Sequence, residues 1–477
     1  MVPVWVLVAW LLPVLGEEEG PLVQTRLGAV RGSFSLTEPS SRTFAAFQGI
    51  PYAAAPTGTL RFQPPRSLDT FPGPAPLRAT EGGAACPQLE LTGGAVTGAE
   101  DCLTLNVFSP ETVFGRGAAR HPVMVWLHGG GFQLGSASAE MFGPERLLEE
   151  DLVLVTVQYR LGPLGFLTTG DEAAPPNLGL LDQRLALAWV RDNIAAFAGD
   201  PDTVTLAGQG AGGTSVLAHL ASPGSRGLFH RGLAMSGVWG EAPGLHLSRP
   251  PAHYARTLGA ALGCTKARSA ALVACLQAAA PAQLLEAAAQ LREFDFLPEP
   301  FKPVVDSWMG AAAVVPAALH EVWAQETVPR LPLLLGGTSE EGVLQLLHFL
   351  RDPALYARVN EDPARLLPAL LLGVDPAAAA EDEGEAATAA VLRDSYLPGS
   401  GALAPGAHEE MVKLFTDVHF LSPLEQVRRN VTNLILVDTP HFSRQCGNFQ
   451  TELTNCITTI ISTKEASPCR QLLESGR

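Results

Sequence analysis

The chain has 477 residues, enough to bury a large core around one extended sheet or to divide into two or three domains. Its formal net charge of −16 argues against nucleic acid or an acidic membrane surface as a partner. With 47% hydrophobic residues, 47 glycines and 39 prolines, the composition is that of a folded, loop-rich protein.

Residues 1–16, MVPVWVLVAWLLPVLG, form a short apolar run. Its length suits a secretory signal peptide better than a spanning helix, the alternative being a buried first strand. No later stretch approaches about 18 unbroken apolar residues, so no membrane span is expected after the signal. In a secreted, extracellular chain the seven cysteines are expected to pair. Cys86 and Cys102 are close in sequence, as are Cys264 and Cys275, and either pair could close a small loop. Cys446, Cys456 and Cys469 lie together near the end and leave an odd thiol. No Cys-x-x-Cys pair or histidine-rich cluster suggests a metal, and no cofactor is expected.

Between residues 20 and 170, short β-rich runs alternate with turn clusters. VMVWLHGGG (123–131) and DLVLVTVQYRLG (151–162) are near-continuous apolar runs, the pattern of strands buried on both faces. LLDQRLALAWVRDNIAAF (180–197) has helical spacing, and TVTLAG (203–208) follows as a strand. This order predicts a parallel sheet with crossover helices. Residues 250–300 read as Ala-rich helices, and 328–342 as a buried strand followed by a turn. The acidic, Ala-rich stretch 375–390 reads as a solvated helix. From Asn430 the composition changes abruptly, and Ala466 is the only alanine thereafter. Such a shift suggests a segment of different origin, or an ordinary polar tail. Asn430-Val431-Thr432 is an N-glycosylation sequon.

The strand at 203–208 runs into AGQGAGGTSV (207–216), whose glycines Gly208, Gly210, Gly212 and Gly213 admit two patterns. One is G-x-G-x-x-G, which cradles a dinucleotide pyrophosphate and needs an acid about 20 residues on to hold a ribose. No Asp or Glu stands between Asp202 and Glu241, so a cofactor is not expected here. The other is G-x-S-x-G, the strained strand-to-helix turn that presents a nucleophilic serine, with Gly210 at the serine's place. HGGGF (128–132), just after a strand, is a loop of the kind that offers backbone N–H groups to an oxyanion.

With these two motifs go FQGIPYAAAPTGTLRFQPP, EDCLTLNVFSP, VTVQYRLGPLGFL, PNLGLLDQRLALAWVRDNIAAFAGDPDTVTLAGQGAGG, SRGLFHRGLAMSG, FKPVVD, GGTSEEG and FTDVHFLSP. Over residues 22–428 the chain resembles the type-B carboxylesterase and cholinesterase family of α/β-hydrolases, most closely its arthropod carboxylesterases. The resemblance implies an α/β-hydrolase fold, a large, mostly parallel central sheet with helices on both faces, and an ancestral activity of carboxylic ester hydrolysis. It implies an oxyanion hole of Gly130, Gly131 and Ala211, a triad acid at Glu341, and disulfides Cys86–Cys102 and Cys264–Cys275. It also implies buried ion pairs of Arg61 with Glu100 and Arg160 with Asp200.

Two departures bear on activity. The family's elbow carries a serine where this chain has Gly210, and neither Ser215, on the following helix, nor Ser236, at the next strand end, is placed to substitute. The family's triad histidine lies in an H-G-x-E-like loop well beyond the F-x-x-P helix. Here His441 is the only histidine after Pro423, and it lacks the following glycine and acid. The closing strand and helix of the domain are not recognisable, and residues 429–477 read as a divergent tail. The expectation is therefore a secreted family member that does not hydrolyse esters and acts by binding a small apolar ester-like ligand or an extracellular protein. The alternative is a defective isoform or gene model of an active carboxylic ester hydrolase. The 86–102 segment holds no Trp to stack on a choline cation, which argues against that ligand.

Overall fold

The computed structural model describes residues 20–437, apart from 91–93, 116, 238–248, 295, 296, 298, 319, 320, 323–329, 380–382, 398, 400 and 431–433. The apolar residues 1–16, His441, Cys446, Cys456 and Cys469 lie outside the described residues, as do Val431 and Thr432 of the sequon.

Nine strands form one sheet: β1 (Ser33–Leu36), β2 (Thr43–Pro51), β3 (Thr104–Ser109), β4 (His121–Leu127), β5 (Val153–Val157), β6 (Gly199–Gln209), β7 (Arg231–Met235), β8 (Leu333–Gly336) and β9 (Leu434–Val437). Their order is β9-β8-β7-β6-β4-β5-β3-β2-β1. The strands from β5 to β9 pair in parallel, while β3, β2 and β1 extend the β5 edge antiparallel. The apolar runs at 123–131 and 151–162 become β4 and β5, and the run before the glycine turn becomes β6.

Side chains alternate between two buried faces, as the pleat requires. Val123, Val125, Val153, Val155, Val204, Leu206, Leu333 and Leu335 join the largest core cluster. Met124, Leu154, Ala207, Leu233 and Leu334 join a second one under Leu148 and Leu152. Burial on both faces is why these strands read as near-continuous apolar runs. Helices α1 (Leu178–Asn193) and α2 (Ala211–Ala221) pack on the first face through residues such as Leu187, Val190, Val216 and Leu217. Later helices, α4 (Val343–Arg351), α5 (Pro363–Leu372) and α6 (His408–Thr416), build a separate core around Phe349, Leu370 and Phe415.

Three features differ from the sequence reading. Arg160 does not pair with Asp200: its Nε and Nη2 donate to Asp182 at 2.8 and 2.7 Å, and both side chains are buried. Asp182 stands on the buried side of α1, which brings it under the chain leaving β5, whereas Asp200, at the start of β6, accepts the Asp202 N–H. The stretch 375–390 is not a solvated helix throughout, because Ala378, Ala379 and Ala389 are buried, their small side chains permitting close approach. The third is β9, which lies beyond Asn430 and continues the sheet beside β8, with Val437 opposite Gly336.

Arg61 and Glu100 do pair, through two 2.6 Å hydrogen bonds. Both disulfides, Cys86–Cys102 and Cys264–Cys275, are formed.

Candidate active site

In an open parallel sheet the crevice lies beyond the carboxyl ends of the strands. The ends of β4, β6, β7 and β8 converge there in register: Leu127 opposes Gly208, Gln209 opposes Met235, and Met235 opposes Gly336. The segments leaving these four strands carry every candidate residue in the described chain.

β6 turns into α2 at Gly210, whose φ of +54° and ψ of −119° suit a glycine. Its N–H donates to Met235 O at 2.9 Å and its carbonyl accepts from Thr214 N, so the turn is fixed at both ends. A Cβ built on Gly210 would meet nothing within 4 Å, so it would point into open space. The neighbours are different. A Cβ on Gly212 would lie 2.0 Å from Leu127 O, and one on Gly208 would lie 2.4 Å from the Gly212 carbonyl carbon. A Cβ on Gly129 would lie 2.7 Å from Gln209 O. These glycines let α2 and the 128–131 loop approach backbone to backbone.

That approach sets Gly130 and Gly131 beside the start of α2. Among the described residues, the N–H groups of Gly130, Gly131 and Ala211 donate to no acceptor, and Ala211 is the first residue of α2, where the helix dipole is positive. The loop is braced from behind. Tyr159 donates to His128 O at 2.6 Å, and the two rings stack at 4.3 Å. Burial lowers the His128 pKa to about 4, so the ring is neutral.

The α2 end is held by a chain of buried polar groups that sequence reasoning missed. Ser215 Oγ donates to Ala211 O and accepts from Gln183 Nε2, while Gln183 Oε1 meets His219 Nε2 at 3.0 Å. His219 Nδ1 meets Ser225 Oγ at 2.8 Å. No spacing in the sequence signals this network, because its members come from separate elements. Ser215 is fully committed to it and points away from the turn's open side.

Glu341 follows β8. Its Oε1 accepts from Ser236 Oγ at 2.5 Å and from Thr338 N at 2.7 Å. Ser236, with a positive φ of 50°, directly follows Met235, the residue that holds Gly210. Ser236 therefore fixes the acid. Its position at a strand end, level with the elbow, was the available signal. Among the described residues no histidine is hydrogen-bonded to Glu341.

The arrangement thus offers unoccupied N–H donors at a helix N-terminus, a fixed carboxylate nearby and no side-chain oxygen at the turn between them. It can bind an oxyanion or carbonyl oxygen.

The family description "Carboxylesterase family" matches residues 19–445. The chain is 37% identical over 361 residues to a carboxylic ester hydrolase of Bombus ignitus, covering 74% of this chain and 62% of that protein. It is 35% identical over 359 residues to the juvenile hormone esterase of Tribolium castaneum, covering 74% and 60% respectively. The chain thus matches about six-tenths of the length of these relatives. The crystal structure of juvenile hormone esterase from Manduca sexta, with OTFP covalently attached, superposes with a TM-score of 0.75 at 27% identity, covering 94% of this chain and 86% of that one. That likeness identifies the fold as that of an α/β-hydrolase. With a family match that takes in β1 through β9 and both glycine loops, the chain belongs to the carboxylesterase family.

Proposed function

We propose that this chain is a secreted member of the carboxylesterase family that does not hydrolyse esters and instead binds a small apolar ester-like ligand in the inherited crevice. The observation that carries the reading is Gly210: it is the one glycine of the turn whose Cβ would face open space, and it carries no side chain there. Acyl transfer by the triad route needs an activated oxygen at that point, and the oxyanion hole and binding alone give only about 10³–10⁴ over water. Glu341 keeps the role of the old triad acid, and His441 is the remaining candidate for the histidine. Secretion rests on residues 1–16, with Asn430 as the glycan acceptor. The test is expression in a eukaryotic secretory host, followed by turnover and deglycosylation assays on the medium. The reading expects a glycosylated protein without turnover of short aryl esters; cytosolic retention or steady turnover overturns it.

A second reading, a defective isoform or gene model of an active ester hydrolase, is favoured by the composition change after Asn430. Transcript sequence across codon 210 and from codon 429 onward separates the two.

A further inference from the structure

A cavity of about 690 Å³ lies beside the glycine loop but does not include Gly210, Gly130 or Glu341 in its wall. Gln133 and Leu134, which close the turn after Gly131, form one side of it, and Leu89 and Glu90 of the Cys86–Cys102 loop form another. The third side comes from α3 (Pro281–Ala289), the segment after it and α4. Its volume is that of a small-molecule site.

The wall has an apolar part and an acidic rim. Leu285, Ala288, Phe294, Phe301 and Leu355 are buried wall residues. Of the charged groups, Arg358 is occupied with Glu293 and lies over the Phe294 ring, and Arg292 donates to Gln133 Oε1. On the exposed rim, Glu90, Glu286 and Asp352 face a single Arg351, and none of these four has an ion-pair partner among the described residues. One further acid is not on the rim. Glu299 is only 8% exposed; its Oε1 accepts the Phe301 N–H at 3.0 Å, and its Oε2 has no hydrogen-bond partner among the described residues. A buried carboxyl oxygen left unbonded is unfavourable, and a ligand that brings a donor relieves it.

We infer that this cavity binds an apolar ligand carrying a primary or secondary ammonium, with Glu299 as the acceptor of its N–H. An anionic ligand meets the rim acids and Glu299 together. A quaternary ammonium brings charge but no N–H for Oε2. The inference goes beyond the proposed function: the cavity is a second site beside the inherited crevice, and it makes no use of the elbow's chemistry. The groups facing Glu299 are Arg292 and Lys302, and burial raises its pKa to about 7. A bound cation favours the ionised form, so affinity increases with pH. The Glu299→Gln variant accompanies the pH profile and separates this carboxyl from the other groups in the wall.

The experiment is calorimetric titration of the full chain with hexylammonium, hexanoate, hexanol and trimethylhexylammonium, with the Glu299→Gln variant in parallel. The expected result is hexylammonium binding at least tenfold tighter than the other three, about tenfold tighter at pH 8 than at pH 6, and about tenfold weaker in Glu299→Gln. Should that variant fail to fold, the wild-type pH profile and the exposed Glu90→Gln/Glu286→Gln pair, expected to weaken binding severalfold at low salt, take its place. Hexanoate or hexanol binding as tightly as hexylammonium overturns the ammonium assignment while leaving a ligand site. No binding of any probe overturns both.

Discussion

Replacing Gly210 with serine restores the missing hydroxyl, and the structure fixes what this change costs and what it fails to supply. A Cβ at this position meets nothing within 4 Å, so packing opposes the change nowhere. The cost is the backbone: φ +54° and ψ −119° are unfavourable for a residue with a side chain, at about 1–3 kcal/mol. Gly210→Ser should therefore fold, with stability lower by that amount in urea unfolding, and Gly210→Ala should match it. Activity should not follow. A serine hydroxyl is a weak nucleophile until a base takes its proton, and Glu341 is bonded to Ser236 and Thr338, with no histidine on it among the described residues. Hydrolysis of p-nitrophenyl acetate by Gly210→Ser should stay within about tenfold of the unaltered chain, inside the residual range of an oxyanion hole. Joining Gly210→Ser to a family-type C-terminus with an H-G-x-E loop should raise it by several orders of magnitude. Strong turnover by Gly210→Ser alone would mean that a histidine such as His441 reaches the crevice, and the reasoning about the tail would be wrong.

Gly212→Ala puts a Cβ 2.0 Å from Leu127 O, where only backbone can yield, so it should cost more than about 4 kcal/mol or prevent folding, read by the same urea titration. Arg160→Met strands the buried Asp182 carboxylate and should cost about 3–5 kcal/mol, whereas Arg160→Met with Asp182→Leu should recover much of the loss. His128, His219 and His419 have their pKa values lowered by burial from the ordinary 6.5 to about 4, 3 and 4. Between those values and 6.5 the unfolded chain binds more protons than the folded one, so stability is full above pH 6.5 and falls with acid. The slope is up to about 1.4 kcal/mol per pH unit for each histidine. Urea midpoints from pH 7.5 to 5 should show it, and a flat profile would place these rings in contact with water.

The sheet centre was legible because strands buried on both faces are nearly all apolar, as at Val153–Val157, where Thr156 is the one polar residue, and across Val123, Met124, Val125, Trp126 and Leu127. The elbow was legible because close backbone approach demands glycine in a fixed pattern, and Gly208, Gly212 and Gly213 supply it. What escaped depends on contacts between distant elements. Asp182 gives no local sign that it lies under Arg160, and the strand-end position of Ser236 does not by itself point to Glu341, 105 residues away. β9 escaped because the tail's change of composition masked a four-residue strand, Leu434–Val437, whose pairing with β8 is a long-range property.

The central claim is that no nucleophile stands at the elbow. Intact-mass measurement of the unaltered, purified chain after incubation with an excess of a fluorophosphonate tests it most directly. The account predicts an unchanged mass, with an active carboxylesterase labelled in parallel. A stoichiometric adduct would contradict it, because some residue of this chain would then be acting as an activated nucleophile.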